Sequence, residues 1–164
     1  MKNRFIIKII LISFLVLGCK NNHSINFDLS IIDDFLDYKS VIEKYKSQIV
    51  VNQKMADCKE SSNGITIVGK EFQFIYNDIY YYDEQNHFFQ LDCSNPIVKL
   101  NGVKVIGKSS DEILRLIKIT SDVEFQKTET FIKYIIWKSK PAPLCLYLKL
   151  KNQKVISYSL GFML

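Results

Sequence analysis

The side chains that could carry out covalent chemistry are few, since the 164-residue chain contains two histidines and four cysteines. A hydrolytic nucleophile needs a nearby base, which is most often histidine. His87, Asp92 and Cys93 lie close together in sequence and could form a thiol site, whereas His23 stands alone near the N terminus. Metal-binding spacings such as Cys-x-x-Cys do not occur in the sequence. The sequence therefore predicts a non-catalytic protein without metal or cofactor, with a His87–Cys93 thiol enzyme as the alternative.

The first nineteen residues have the organisation of an export signal. Gly18 stands directly before Cys19, after an apolar run over residues 9–17 and three basic residues, Lys2, Arg4 and Lys8. The apolar run is about half of the ~20 residues that span a bilayer. The stretch resembles the signal peptide of bacterial lipoproteins, in which a small residue precedes the modified cysteine. The resemblance implies cleavage between Gly18 and Cys19 and lipidation of Cys19. A plain secretory signal and an uncleaved anchor are the alternatives.

The resemblance divides the chain into a removed signal peptide of residues 1–18, a lipidated tether of residues 19–29 and a single domain of residues 30–164. It also implies a location in the cell envelope with the membrane as partner, and Lys20 after the lipidated cysteine is compatible with an outer membrane. The predicted function is a membrane-anchored binding or accessory module with a possible protein partner. A purely structural surface lipoprotein is a further alternative.

Charge is distributed unevenly along the chain, although its net value is only +5. The signal peptide removes three basic residues, so a nucleic-acid partner is poorly supported. Residues 19–96 carry 7 basic and 12 acidic side chains, and residues 97–164 carry 12 and 5. These halves could attract each other within one fold, or the basic half could attract an acidic partner.

Three cysteines remain once Cys19 is assigned to lipid. In an oxidising envelope, Cys58 and Cys93 are the favoured disulfide, because both lie in polar sequence typical of turns. Cys145 lies in an apolar strand pattern and is predicted to be a buried thiol. The other two pairings stay open.

Two helices are predicted. Apolar residues recur at three- and four-residue steps over residues 30–47, with Ser30 as the expected N-cap, and the resulting apolar stripe is expected to lie on a sheet. A short helix over residues 110–118 begins with a capping box, in which Ser109 and Glu112 bond each other's backbone amides. Capping explains this stretch better than phosphate binding, since its acidic first turn would repel a phosphate.

Most of the remaining chain alternates apolar and polar residues, which is typical of strands. Asn101-Gly102 predicts a two-residue hairpin turn between strands 97–100 and 103–106. Residues 63–70 and 101–108 are similar and suggest two related strands in one sheet. In the C-terminal strands, Leu144 to Leu150 should alternate with Cys145 to Lys151, and Ile156 should share a face with Tyr158, Leu160 and Phe162.

The predicted fold class is α+β with a mostly antiparallel sheet. From residue 97 onward, the order of a strand, a short capped helix and several antiparallel strands resembles small outer-membrane lipoprotein domains of the SmpA/OmlA kind. The Gly-x-Pro that typically follows the helix in that family is replaced by Ile117-Lys118-Ile119-Thr120. The resemblance is therefore one of layout only and implies no functional residue.

Overall fold

A computed structural model describes residues 24–55, 64–77, 87–139 and 142–163. The α+β class is confirmed, with most of the structure in one antiparallel sheet. The strands are β1 Ile25–Phe27, β2 Ile49–Met55, β3 Gly64–Gly69, β4 Phe72–Asn77, β5 His87–Cys93, β6 Ile117–Ile119, β7 Val123–Lys127, β8 Phe131–Ile136, β9 Leu144–Lys151 and β10 Lys154–Phe162. The α-helices are α1 Tyr38–Tyr45 and α2 Ser110–Leu116, and two 3-10 helices span Leu29–Phe35 and Lys46–Gln48.

Eight strands form the main sheet in the order β2-β3-β4-β5-β10-β9-β8-β7, with every neighbouring pair antiparallel. The strand β10 lies between β5 and β9, so the C terminus joins the two halves of the sheet. A separate parallel pair is made by β1 and β6. Among the described residues, β7 is therefore one edge of the main sheet.

Alternating burial shows which face of the sheet carries the core. In β9 the predicted alternation is confirmed: the leucines from Leu144 to Leu150 are buried, while the intervening side chains from Cys145 to Lys151 are half-buried or exposed. On the core face, Phe35 and Tyr45 pack against Phe74, with ring centroids 5.4 and 5.8 Å away. The N-terminal helical segments thus cover the core face of the sheet near β4. We call the opposite face of the sheet the outer face.

The N-terminal helix is shorter than the predicted 30–47. It is divided into the first 3-10 helix and α1, because Asp37 caps a new helix by accepting hydrogen bonds from Lys39 N at 3.1 Å and Ser40 N at 3.2 Å. The first N-cap is Asp28, which accepts from Ser30 N at 2.9 Å, so the prediction of Ser30 as the cap is wrong. The Asp28 carboxylate is better placed than the Ser30 hydroxyl to accept a hydrogen bond from a free amide at the start of the helix.

The tether predicted over residues 19–29 is wrong for residues 24–29. Ile25 and Phe27 are buried in β1, where they pair with Ile117 and Ile119 of β6. Phe27 also packs on Tyr134, with ring centroids 5.4 Å apart. The short Ile-Asn-Phe alternation carries a strand signal, but its partner lies far away in sequence. The folded domain therefore includes residues 24–29.

The Asn101-Gly102 turn forms as predicted, with positive φ of 45° and 74° and mutual backbone hydrogen bonds between Leu100 and Val103 at 3.0 and 2.8 Å. The strands predicted on either side do not form, since this is an isolated bridge. Of the two related strands predicted over residues 63–70 and 101–108, the first forms as β3 and the second does not, for the same reason. The segment instead inserts its alternate apolar side chains into the core, namely Val98, Leu100, Val103 and Val105.

The predicted capping box of α2 is confirmed. Glu112 N donates to Ser109 Oγ at 3.2 Å, and Ser109 N donates to Glu112 Oε2 at 2.9 Å. The hydrogen bonds that Ser109 donates to the Glu112 carboxylate lower the pKa of Glu112 below its ordinary value. The helix ends at Leu116 rather than 118, because Ile117 is extended and begins β6.

A bulge in β10 changes the predicted face of Ile156. The register with β9 shifts between Val155 and Ser157, so Val155 is buried and Ile156 is 38% exposed. Tyr158, Leu160 and Phe162 keep the predicted core orientation. The extra residue of a bulge reverses the alternation on one side of it, which a strict two-residue period does not anticipate.

Candidate functional site

Three of the predicted site residues lie outside the described part of the chain. They are Gly18 and Cys19 at the proposed cleavage and lipidation point, and Cys58 of the proposed disulfide. Cleavage, lipidation and disulfide formation therefore stay predictions. Cys93 and Cys145 are described, and neither is bridged to another cysteine within the described residues.

Cys93 does not lie in a polar turn as its sequence context suggested. It is the last residue of β5, faces the core, is 3% exposed and donates from Sγ to Asn95 O at 3.2 Å. Burial raises the pKa of the thiol. Cys145 lies on the outer face and is half-buried rather than buried, and its pKa is also raised by burial.

The structure does not bring His87 and Cys93 together. They are the first and last residues of β5, where His87 pairs with Asn77 and Cys93 with Phe72. A strand rises about 3.4 Å per residue, so six residues separate the two by roughly 20 Å. The raised pKa also keeps the Cys93 thiol protonated, and a thiol is a weaker nucleophile than a thiolate. The His87–Cys93 pair therefore lacks the geometry of a nucleophile and its base.

The outer face carries a row of polar side chains across five strands. The strand registers place these residues side by side, from β8 to β4: Lys133, Tyr147, Ser159, Asp92 and Gln73. Each of them is half-buried. Neighbours in such a row are close enough for direct side-chain contact.

Asp92 is the centre of a hydrogen-bond network in this row. Ser159 Oγ donates to Asp92 Oδ1 at 2.6 Å, and Gln90 Nε2 donates to Asp92 Oδ2 at 2.7 Å. Each carboxylate oxygen therefore accepts a hydrogen bond, one from the neighbouring strand β10 and one from β5 itself. Hydrogen bonds to a charged acceptor are shorter and stronger than those between neutral groups, so the network fixes the Asp92 side chain.

Two cavities meet at this network, and we call them together the trough. The larger holds about 490 Å³ and is lined by Glu71, Gln73, Asp92 and Ser157, among others. The smaller holds about 170 Å³ and is lined by Gln90, Cys145, Tyr147 and Gly161, among others. Ser159 lines both cavities.

Gly161 is required by the close approach of two strands beneath the trough. A Cβ on Gly161 would lie 2.7 Å from Phe89 O and 2.9 Å from Gln90 Cα, which are backbone atoms of β5. Because backbone atoms in a central strand cannot easily move, a larger residue would separate β10 from β5. The missing side chain also leaves room for the smaller cavity.

The larger cavity is acidic. Its lining includes the carboxylates of Glu71 and Asp92, with no basic residue among the residues that line it. Glu71 has a positive φ of 64°, and its carbonyl accepts hydrogen bonds from Ser94 N at 2.8 Å and Asn95 N at 3.2 Å. This end of the trough is thus held in place by backbone contacts. The trough can accept hydrogen bonds from a cationic or hydroxyl-bearing group.

A second surface lies between β6 and β7, and we call it the apolar margin. Leu114, Ile119 and Phe125 are 38%, 48% and 41% exposed there. Together with Ile117 and Tyr134 they line a cavity of about 120 Å³. The strand β7 next to it is an edge strand. The apolar margin is therefore a patch of exposed apolar side chains beside a strand edge that has no partner strand in the described part of the chain.

The side chain of Tyr134 places a hydroxyl group without a hydrogen-bond partner among the described residues beside the apolar margin. It is 1% exposed, and its hydroxyl has no hydrogen-bond partner in the part of the chain that the structure describes. Two other buried tyrosines do have partners: Tyr76 donates to Phe35 O at 2.8 Å, and Tyr158 to Val98 O at 3.3 Å. Burial raises the pKa of Tyr134 to about 12. The hydroxyl is therefore neutral and remains a hydrogen-bond donor.

Neither the trough nor the apolar margin is predicted from the sequence. Small polar residues in β10, Ser157 and Ser159, followed by Gly161, were a signal that its outer face is not packed by large side chains. For the apolar margin, the sequence shows apolar residues interleaved with basic ones over residues 114–119. Whether other elements of the fold cover these apolar side chains depends on tertiary contacts, which the local sequence does not indicate.

The chain matches no protein-family model, no curated protein and no solved structure. Within residues 24–55, 64–77, 87–139 and 142–163, no helix has the length and hydropathy to cross a membrane. The same residues contain no cluster of three or more metal-ligating side chains. The geometry of the trough and the apolar margin is therefore the basis for a functional proposal.

Proposed function

We propose that the protein is a lipid-anchored, non-catalytic binding module of a bacterial envelope, which presents the trough to a partner. The observation that carries the proposal is the Asp92 carboxylate, held between Ser159 and Gln90 at the centre of the outer face. A fixed carboxylate in a half-buried cavity favours a partner with a cationic or hydrogen-bond-donor group, such as a lysine or arginine side chain.

The anchor in this proposal is the lipid on Cys19, supported by the resemblance of residues 1–19 to a lipoprotein signal peptide. The start of β1 at Ile25 leaves only residues 20–24 between the anchor and the domain. A single acyl chain gives marginal membrane binding, whereas several chains on one cysteine would hold the domain durably. The partner is then an envelope protein, and Lys20 is compatible with an outer-membrane location.

Site-specific photocrosslinking tests the trough. A photoreactive amino acid at Gln73 should give a discrete adduct in intact cells, and the same group at exposed Lys99 should give none. Asp92→Asn should weaken the Gln73 adduct about tenfold, because a hydrogen bond to a charged group contributes about 1.5–3 kcal/mol. Equal adducts at both positions, or none at Gln73, would contradict a binding role for the trough. The structural-lipoprotein alternative predicts no adduct at either position.

The anchor has its own test. Cys19→Ala should abolish metabolic labelling with radioactive palmitate and release the protein from the membrane fraction. A variant that remains labelled and membrane-bound would show that Cys19 is not the anchor. Lys20→Ser is a matched control, which should leave the labelling unchanged.

A further inference from the structure

We infer that the domain lies directly on the bilayer through the apolar margin, with Leu114, Ile119 and Phe125 in contact with an anionic lipid surface. The inference rests on the proposed lipid anchor and deepens it. It assigns one orientation to the anchored domain, with the apolar margin toward the lipid and β7 at the membrane edge.

The length of the tether is the first argument. Five residues, 20–24, join Cys19 to β1, and an extended chain spans at most about 3.6 Å per residue. Ile25 must then lie within roughly 20 Å of the lipidated cysteine. Ile25 pairs with Ile117, and Ile117 lines the cavity of the apolar margin. The margin is therefore the exposed apolar surface that begins beside the tether's attachment point.

Charge complementarity is the second argument. Arg115 and Lys118 are exposed and alternate in sequence with the apolar residues of the margin between Leu114 and Ile119. The nearby Asp111 is paired with Lys127 at 3.6 Å, and Glu124 accepts a hydrogen bond from the Trp137 indole. Asp122, in the turn before β7, and Glu124, on the opposite face of β7 from Phe125, are the exposed acids nearby. Exposed apolar groups interleaved with cations match an interface that carries anionic headgroups.

Trp137 is the single tryptophan of the chain, and it lies on the outer face, where its Nε1 donates to Glu124 at 2.5 Å. Phe125 packs on Tyr134 on the other face, with ring centroids 5.2 Å apart, so Phe125→Trp combined with Trp137→Phe places a single fluorescent reporter in the apolar margin. The fluorescence of this reporter protein should shift to the blue when its mature lipidated form is placed in vesicles of phosphatidylethanolamine and phosphatidylglycerol. Lipids brominated near the top of the acyl chains should quench it.

Two variants and one control make the test specific. In the reporter protein, Leu114→Asn with Ile119→Asn should abolish most of the quenching while the protein still floats with the vesicles. Arg115→Gln with Lys118→Gln, which changes exposed charges only, should reduce quenching in anionic vesicles and leave it unchanged in vesicles of phosphatidylcholine. The matched control is Leu36→Asn with Ile97→Asn, since these residues are 51% and 45% exposed elsewhere on the domain. This control should quench like the parent reporter protein.

Two outcomes would overturn the inference, and they are distinguishable. A lipid-labelled reporter protein that floats with vesicles but keeps the tryptophan of the margin unquenched would show that the margin stands away from the bilayer, which leaves it for a protein partner. A chain without lipid label that stays in the aqueous fraction would contradict the anchor itself.

Discussion

The trough and the apolar margin differ in how their polar groups are satisfied. In the trough, both oxygens of Asp92 accept hydrogen bonds, one from Ser159 on the neighbouring strand β10 and one from Gln90 two residues away on β5 itself. In the margin, the Tyr134 hydroxyl has no such neighbour in the described structure, because β7 is an edge and β6 belongs to another sheet. A central position thus builds a rigid polar site, whereas an edge leaves apolar surface and an unpaired donor.

The largest expected effect is at the floor of the trough. Gly161→Ala should lower the free energy of unfolding by about 3 kcal/mol, near the upper end for inserting a methyl group into packed structure. The reason is the conflict of its Cβ with the backbone of Phe89 and Gln90. Urea denaturation measures the change, and Ser157→Ala on the same strand is the control with little expected effect. A Gly161→Ala variant as stable as wild type would show that β10 and β5 are not so closely packed.

A pair of tyrosine variants tests the unpaired donor. Tyr76→Phe should cost about 1–2 kcal/mol of unfolding free energy, since it leaves the buried carbonyl of Phe35 without its donor. Tyr134→Phe should be neutral or slightly stabilising, because it removes a hydroxyl that has no partner among the described residues. Both changes delete one oxygen from a buried ring, so each is the other's control in the same denaturation series. Equal costs would mean that Tyr134 has a partner in solution.

The smallest effect concerns the two thiols and leaves the fold unchanged. Cys145, half-buried in the trough, should be alkylated by iodoacetamide before Cys93, which is 3% exposed. Burial raises the pKa of both thiols, so both should react slowly at neutral pH and faster as the pH rises toward the raised pKa and forms thiolate. Mass spectrometry of a time course measures the order.

Unfolded protein is the control for the alkylation order, since the two thiols should then react at similar rates. If Cys93 reacts first in the folded protein, its burial is contradicted. If Cys93 stays unmodified after unfolding without reductant, it is oxidised, which would support the predicted bridge to Cys58.

The features that the sequence predicted correctly depend on neighbouring residues. The Ser109–Glu112 capping box, the Asn101-Gly102 turn and the alternation of Leu144 to Leu150 each follow from residues within a few positions of one another. Local conformational preference and hydrophobic period are enough to specify them.

The features that it missed depend on contacts between distant residues. The pairing of β1 with β6 and the meeting of Asp92 with Ser159 join segments that lie far apart in the chain. Other errors came from competing local choices: Asp37 can cap a new helix inside a continuous apolar stripe, and a bulge at Ile156 reverses the expected alternation. The trough combines both kinds of feature, which is why the candidate site could not be predicted.

The β1–β6 pair also sets an order of assembly. As the chain is made from its N terminus, β1 is complete long before β6 exists, since Ile25 must wait for Ile117. Closing so long a loop is slow, and β1 should therefore be among the last strands to settle. On the proposed lipid anchoring, Ile25–Phe27 would stay unpaired near Cys19 during export until the C-terminal half of the domain arrives.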